Sequence, residues 1–187
     1  AFTQFWAKLA REAFGGQGSA WDADNLHRWA TRVAPGYIRV DADAVTYPMH
    51  IILRFRLEQA LVDGSLDPAD MPEAWNVEMQ HLLGIRPADH SLGGLQDIHW
   101  FAGLFGYFPT YSLGSLAAAQ LFQAVERALP DLHDALAKGD ASPLVAWLRT
   151  NVHEVGCLHS PDGLLEAATG SPLDSAAFKR HIQDRYF

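Results

Sequence analysis

Apolar residues recur at three- and four-residue intervals through most of this sequence, and no segment shows sustained alternation of apolar and polar positions. That periodicity commits the chain to helices packed on one another, an all-α fold with no internal repeat. The clearest stripe is Leu113, Leu116, Ala117, Leu121, Ala124, Val125 and Ala128, which predicts the longest helix over 109–129. Glycine, proline and aspartate punctuate the rest. Helices are expected at 2–14, from Asp22 to about Val33, and at 43–62. Further helices are expected at 68–83, 131–138, 142–154, 161–169 and 174–185. Pro48 falls inside the 43–62 pattern, where it lacks an amide donor and clashes with the preceding turn. The helix is therefore expected to start late or to kink there, with Asp41 or Asp43 available to cap it. The short piece Tyr37–Val40 reads as extended, at most one very short strand or hairpin.

With 187 residues the chain has the length of a single domain, read as 1–187. Its formal charge of −8 argues against a nucleic-acid surface, which needs a basic stripe. No run is long and apolar enough to span a membrane, and no signal peptide is evident. One cysteine, Cys157, leaves no internal disulfide and suits a reducing, cytoplasmic setting. The first residue is alanine, so a processed chain or a piece of a longer one is expected.

The chemistry concentrates in Gly93–Tyr111, GGLQDIHWFAGLFGYFPTY. Gln96, Asp97, His99 and Trp100 fall within five residues after a Gly-Gly pair, and Phe105, Tyr107, Phe108, Pro109 and Tyr111 follow. A few polar groups set among rings is how a pocket is lined. It is equally how a buried loop satisfies its own polar atoms. Arg39 stands between Ile38 and Val40. A guanidinium among apolar residues generally has a fixed anionic partner, here either Asp41 or Asp43 or a ligand carboxylate.

Nine histidines prompt a search for metal ligands. The zinc-peptidase pattern HExxH, with two histidines on one helix face and glutamate as general base, is absent. Its nearest match, His153-Glu154-Val155-Gly156-Cys157, puts cysteine at the second ligand position beside a helix-breaking glycine, and reads better as a polar helix end. Glu78 and His81 have the i, i+3 spacing of carboxylate-bridged metal bundles, and read better as a solvent-facing pair. Cys157 has no flanking feature of a catalytic thiol, and no serine sits in a nucleophile elbow.

Two motifs carry a resemblance. Ile38-Arg39-Val40-Asp41-Ala42-Asp43 fits IRxxAD, and Gly93-Gly94-Leu95-Gln96-Asp97-Ile98-His99-Trp100 fits GxxQDxHW. Together with VTYPMHIILRFRLEQALVDG, MPEAW, LGIRP and GYFPTYSLGSLAAAQLF, they resemble the carboxypeptidase Taq family of metallocarboxypeptidases along essentially the whole chain. Pro48 stands where that family usually has asparagine. The resemblance implies the all-α architecture of an elongated helical metallopeptidase. It also implies that Arg39 grips the free C-terminal carboxylate of a peptide, and that His99 bonds the peptide backbone or the same carboxylate. By the same resemblance Tyr111, or second to it Tyr107, donates to the developing oxyanion, while Gln96 and Asp97 orient His99. Family members carry HExxH and a further glutamate ligand upstream of the region resembled here. This chain is therefore expected to correspond to the C-terminal half alone and to hold no metal itself, zinc or cobalt belonging to full-length members. It is expected to be inactive by itself. A non-catalytic peptide-binding or dimeric scaffold homologue, or an enzyme completed by a separate HExxH-bearing polypeptide, are the alternatives. A peptide C-terminus is the expected partner. Homodimerisation or further self-association is also expected, through apolar surface that the other half covers.

Overall fold

A computed structural model describes residues 2–187, and every described element is helical. The helices are α1 (Phe2–Phe14), α2 (Ala23–Ala30), α3 (Tyr47–Val62), α4 (Met71–Leu83), α5 (Pro109–Ala128), α6 (Leu132–Ala137), α7 (Ser142–Leu148), α8 (Pro161–Thr169) and α9 (Ala176–Tyr186). Single 3₁₀ turns lie at Ser19–Trp21 and Arg39–Asp41, and a π turn at Arg149–His153 extends α7. The chain divides into two compact units, residues to Arg32 with Ser115–Phe187, and Val33–Gly114.

The punctuation acts as the sequence leads one to expect. Ser160 accepts the Gly163 amide at 3.2 Å and starts α8 at Pro161, and Gly170 ends it in the left-handed region at φ 86°. Helix α3 starts late, with Pro48 in its first turn, where no amide is missed. The Asp43 carboxylate organises that start. It accepts the amides of Val45 and Thr46, both at 2.9 Å, and the Thr46 hydroxyl at 3.0 Å. It also accepts the Ala34 amide at 3.0 Å. Asp22 precedes α2 but its side chain pairs with Arg11 instead of capping.

The expected short strand near Ile38 does not form. Among the described residues there is no strand, so an extended Tyr37–Val40 has no neighbour to pair with. Ile38 is extended, and the chain turns at once into the 3₁₀ turn, where the Asp41 amide bonds the Ile38 carbonyl. The Arg39 amide is taken by a side chain, Gln96 Oε1, at 2.8 Å.

In the 33–114 unit, α3 packs on α4 around Leu53, Leu57, Trp75, Met79 and Leu83. Gly93 and Gly94 ride over this core. A Cβ at Gly93 would touch the Trp75 ring at 3.5 Å, and one at Gly94 would meet the Met71 methyl at 2.9 Å. The tight approach is therefore at Gly94, against the Met71 side chain, while Gly93 lies at ordinary contact distance from the indole. In the other unit, α1 packs on α2 and α6, and Trp6 stacks on Trp29. Buried Gln120 ties α5 to the α8–α9 connection through Thr169, Ser171, Pro172 and the Asp174 amide.

Candidate functional site

Helix α3 explains most of the site. His50, Arg54 and Glu58 stand at i, i+4 and i+8, one row on the helix surface, and are 0%, 0% and 5% exposed. A row of polar side chains this deeply buried demands partners from elsewhere in the fold. The GxxQDxHW segment and the loop after it supply them for Arg54 and Glu58, through Asp97, Trp100 and Gly106, but not for the His50 ring.

Asp97 is the hub. Arg39 approaches it edge-on, with Nε 3.1 Å and Nη2 2.7 Å from Oδ1, and Arg54 holds Oδ2 through Nε and Nη2, each at 2.6 Å. Arg54 Nη1 donates to the His50 carbonyl at 2.8 Å. Arg39 Nη1 donates to the Tyr47 hydroxyl at 3.0 Å. One carboxylate therefore serves two guanidinium groups. Burial alone would raise the Asp97 pKa; the hydrogen bonds from Arg39 and the Arg54 charge overcome it and hold the carboxyl below its usual range. Burial, only partly offset by Asp97, pulls Arg54 down to about 10.

The two motifs are thus clamped together. Arg39 pairs neither with Asp41 nor with Asp43; its anion lies 58 positions away. Gln96 adds to the clamp, accepting the Arg39 amide and donating to the carbonyls of Tyr37, Leu92 and Gly93. Its contacts are with backbone, not with His99. Asp97 Oδ1 stands 3.8 Å from His99 Nδ1, while its hydrogen bonds go to the arginines.

His99 and Tyr111 meet above this clamp. His99 Nε2 lies 2.8 Å from the Tyr111 hydroxyl. The Arg39 guanidinium carbon sits 4.9 Å from the centre of the Tyr111 ring, a cation–π contact. Phe108, 1% exposed, packs 4.4 Å from the His99 ring and within 6 Å of both guanidinium carbons. Tyr107, more exposed, lies 5.6 Å from His99 and 5.5 Å from Tyr111. Arg39, Gln96, Asp97, His99 and Tyr111 all come together. Glu58 props the loop from beneath, accepting Trp100 Nε1 at 3.2 Å and the Gly106 amide.

His50, Tyr47, Arg54 and Glu58 are contributors that motif reading passes over. For His50, Arg54 and Glu58 the signal is their i, i+4, i+8 spacing, one row along α3; nothing in the spacing marks Tyr47. Both His50 ring nitrogens lack a hydrogen-bond partner. Burial, then the Arg54 charge, lowers its pKa from 6.5 to about 4. The folded value lies below the unfolded one, so between these pH values only the unfolded chain binds this proton. Stability from this group is complete above pH 6.5 and lost as pH falls towards 4, by about 3 kcal/mol at most. Denaturant titrations at pH 7, 6, 5 and 4.5 should show that slope, and H50L should flatten it.

The metal candidates stay apart. His153, Glu154 and Cys157 are exposed at the end of the π turn, and Glu78 pairs with Arg56 at 3.0 Å. Among the described residues no three His, Cys, Asp or Glu side chains form a possible ligand group, so these residues do not by themselves fit a catalytic metal.

The family profile described as Carboxypeptidase Taq (M32) metallopeptidase matches residues 1–186. The chain belongs to the carboxypeptidase Taq family. Thermostable carboxypeptidase 1 of Pyrococcus furiosus is 42% identical over 168 residues, 90% of this chain and 34% of that protein. Thermostable carboxypeptidase 1 of Thermus thermophilus is 41% identical over 185 residues, 97% of this chain and 36% of that protein. Among solved structures, Trypanosoma cruzi metallocarboxypeptidase 1 superposes with a TM-score of 0.94 at 40% identity, over 99% of this chain and 39% of that one. The all-α architecture is therefore the architecture of carboxypeptidase Taq relatives. The chain spans roughly a third of the length of the curated relatives it matches, 34% and 36% for the two above.

Proposed function

We propose that the 33–114 unit of this carboxypeptidase Taq family chain receives the free C-terminal carboxylate of a peptide, as the substrate-holding part of a metallocarboxypeptidase that removes C-terminal amino acids. The observation that carries this reading is the charge of the clamp. Two buried guanidinium groups share one carboxylate, directly beneath the His99–Tyr111 pair. A buried cation in excess is stabilised by an anion; with the Nε–Nη2 edge of Arg39 on Asp97, a ligand carboxylate would meet the Nη1–Nη2 end, beside the Tyr47 hydroxyl.

In this reading Arg39 binds the carboxylate, His99 donates to it or to the adjacent peptide backbone, and Tyr111 donates to oxygen as it gains negative charge. Asp97 and Gln96 fix Arg39. Tyr111 and His99 share a hydrogen bond, so a ligand oxygen entering between them replaces that bond with two. Hydrolysis also needs a metal to polarise the carbonyl and activate water. The 187-residue sequence contains no HExxH. We infer that the polypeptide binds without cleaving until a metal-bearing segment joins it.

The test is release of C-terminal alanine from N-acetylated trialanine, with zinc or cobalt supplied and the C-terminal amide as control. The expected result is no release from either peptide. Metal-dependent release from the free acid alone would overturn the inactive reading and show that ligands among His81, His90, His153 or His159 assemble a site.

A further inference from the structure

The clamp has two arginines, and they differ in access: the Arg39 side chain is 7% exposed and the Arg54 side chain not at all. Arg54 is fully buried on α3, with Nε and Nη2 on Asp97 and Nη1 on its own helix carbonyl. Its stem lies against Trp75 and Phe108, with the guanidinium carbon 4.7 Å and 5.4 Å from those rings. Nη2 pairs with Asp97 by charge without forming a hydrogen bond, and since Arg54 is 0% exposed none of its donors reaches the surface where a peptide would bind. Glu58, one turn further along, gives its oxygens to Trp100 and Gly106, so it does not serve Arg54.

The permanent charges then sum simply. Arg39 and Asp97 alone form a neutral bidentate pair, which has little to offer an anion. The clamp of Arg39, Arg54 and Asp97 by itself carries one positive charge in excess, with the buried Glu58 carboxylate the next charge along α3, and Arg39 lies on the side facing His99 and Tyr111.

We propose that Arg54 is a positioning residue that neutralises Asp97 from behind, so that the Arg39 guanidinium remains electrically free to hold a peptide C-terminal carboxylate. Arg54 never touches the ligand. It acts by taking up the charge of Asp97, which would otherwise be spent on Arg39. This rests on the carboxylate-binding reading above and adds the residue that makes the clamp cationic. It also accounts for an arginine in the fully buried row of α3, where an apolar side chain would pack at lower desolvation cost.

The experiment compares binding of N-acetylated trialanine and its C-terminal amide to the 187-residue chain, by calorimetry. The variants are Arg54→Met and Arg54→Lys. Methionine keeps length and packing without charge, whereas lysine keeps charge without the guanidinium geometry. The parent should prefer the free acid, R54M should lose that preference by about tenfold or more, and R54K should stay within about threefold of the parent. A role in packing alone predicts the opposite order, because lysine at a fully buried site disturbs packing more than methionine does.

Far-UV circular dichroism establishes that each variant is folded. If R54M does not fold, R54K decides: a folded R54K that keeps the preference supports the proposal, and one that loses it overturns it. A folded R54M that keeps the parental preference also overturns it, while carboxylate binding stands. A parent that binds acid and amide equally overturns the carboxylate reading and the charge balance together.

Discussion

Asp97→Asn should cost this protein about 3–5 kcal/mol, enough to unfold a large share of the molecules at ordinary stabilities. The side chain keeps its shape and loses its charge, and the environment turns that into a large effect. Arg54 has no exposed surface, and among the described residues the carboxylate it pairs with is Asp97. Arg39 is nearly as buried, and its remaining side-chain hydrogen bond goes to the Tyr47 hydroxyl. Asparagine offers one acceptor where Asp97 offers two, and its amide sets donors against donors. Two buried cations would then face each other with no anion between them.

The pH dependence separates this effect from that of His50. The Asp97 pKa is held down in the fold, so its contribution is complete above the usual carboxylate range and lost as pH falls through the lowered value. The His50 slope lies higher, between 6.5 and about 4. Urea midpoints across pH 3 to 7 should therefore show two acid-labile stretches in the parent, with the lower one shallower in D97N, where Asp43 and other hydrogen-bonded carboxylates still contribute. A D97N midpoint within experimental error of the parent would mean that the clamp contributes little to stability.

The second large effect lies beneath the site. Trp75→Ala should destabilise by about 3–5 kcal/mol, the range for emptying a buried aromatic position. Trp75 is 1% exposed and sits in the cluster of Leu53, Leu57, Met79 and Leu83. It also carries the functional loop: Gly93 and Gly94 lie over it, Trp100 meets it edge-on at 6.3 Å, and Arg54 stacks against it at 4.7 Å. The cavity would remove the floor of the GxxQDxHW loop as well as core contacts. Weakened protection of the 93–106 amides from hydrogen exchange should accompany the lower melting temperature. A stability loss with unchanged protection there would confine Trp75 to the core.

The sequence made the helices readable because their ends are chemically marked. Ser160-Pro161 and Gly170 bracket α8 within a single residue, and Pro48 signals the late start of α3. It was less informative at Tyr37–Val40. Extended propensity means little without a second strand, and the Arg39 amide found a glutamine side chain instead. The two motifs point to the right neighbourhood, since Arg39, Gln96, Asp97, His99 and Tyr111 converge. Their pairings were not legible. Asp41 and Asp43 are near Arg39 in sequence, and nothing local reveals that Asp43 is already committed to four donors at the start of α3. Arg54 was hidden for a different reason: in a helix rich in apolar residues, an arginine is ordinarily assigned to the solvent side. Only the row His50–Arg54–Glu58, one helical turn apart each time, hints that a second face is buried.

The most direct measurement of the central claim is the arginine Nε–Hε region of an NMR spectrum, recorded as N-acetylated trialanine is added to the folded 187-residue chain. Arg39 and Arg54 resonances are assigned by Arg39→Lys and Arg54→Lys. Recognition of a C-terminal carboxylate by the clamp predicts that the Arg39 signal moves strongly with the free acid, that Arg54 moves less, and that the amide moves neither. Equal shifts with acid and amide, or shifts confined to residues outside 33–114, would contradict it.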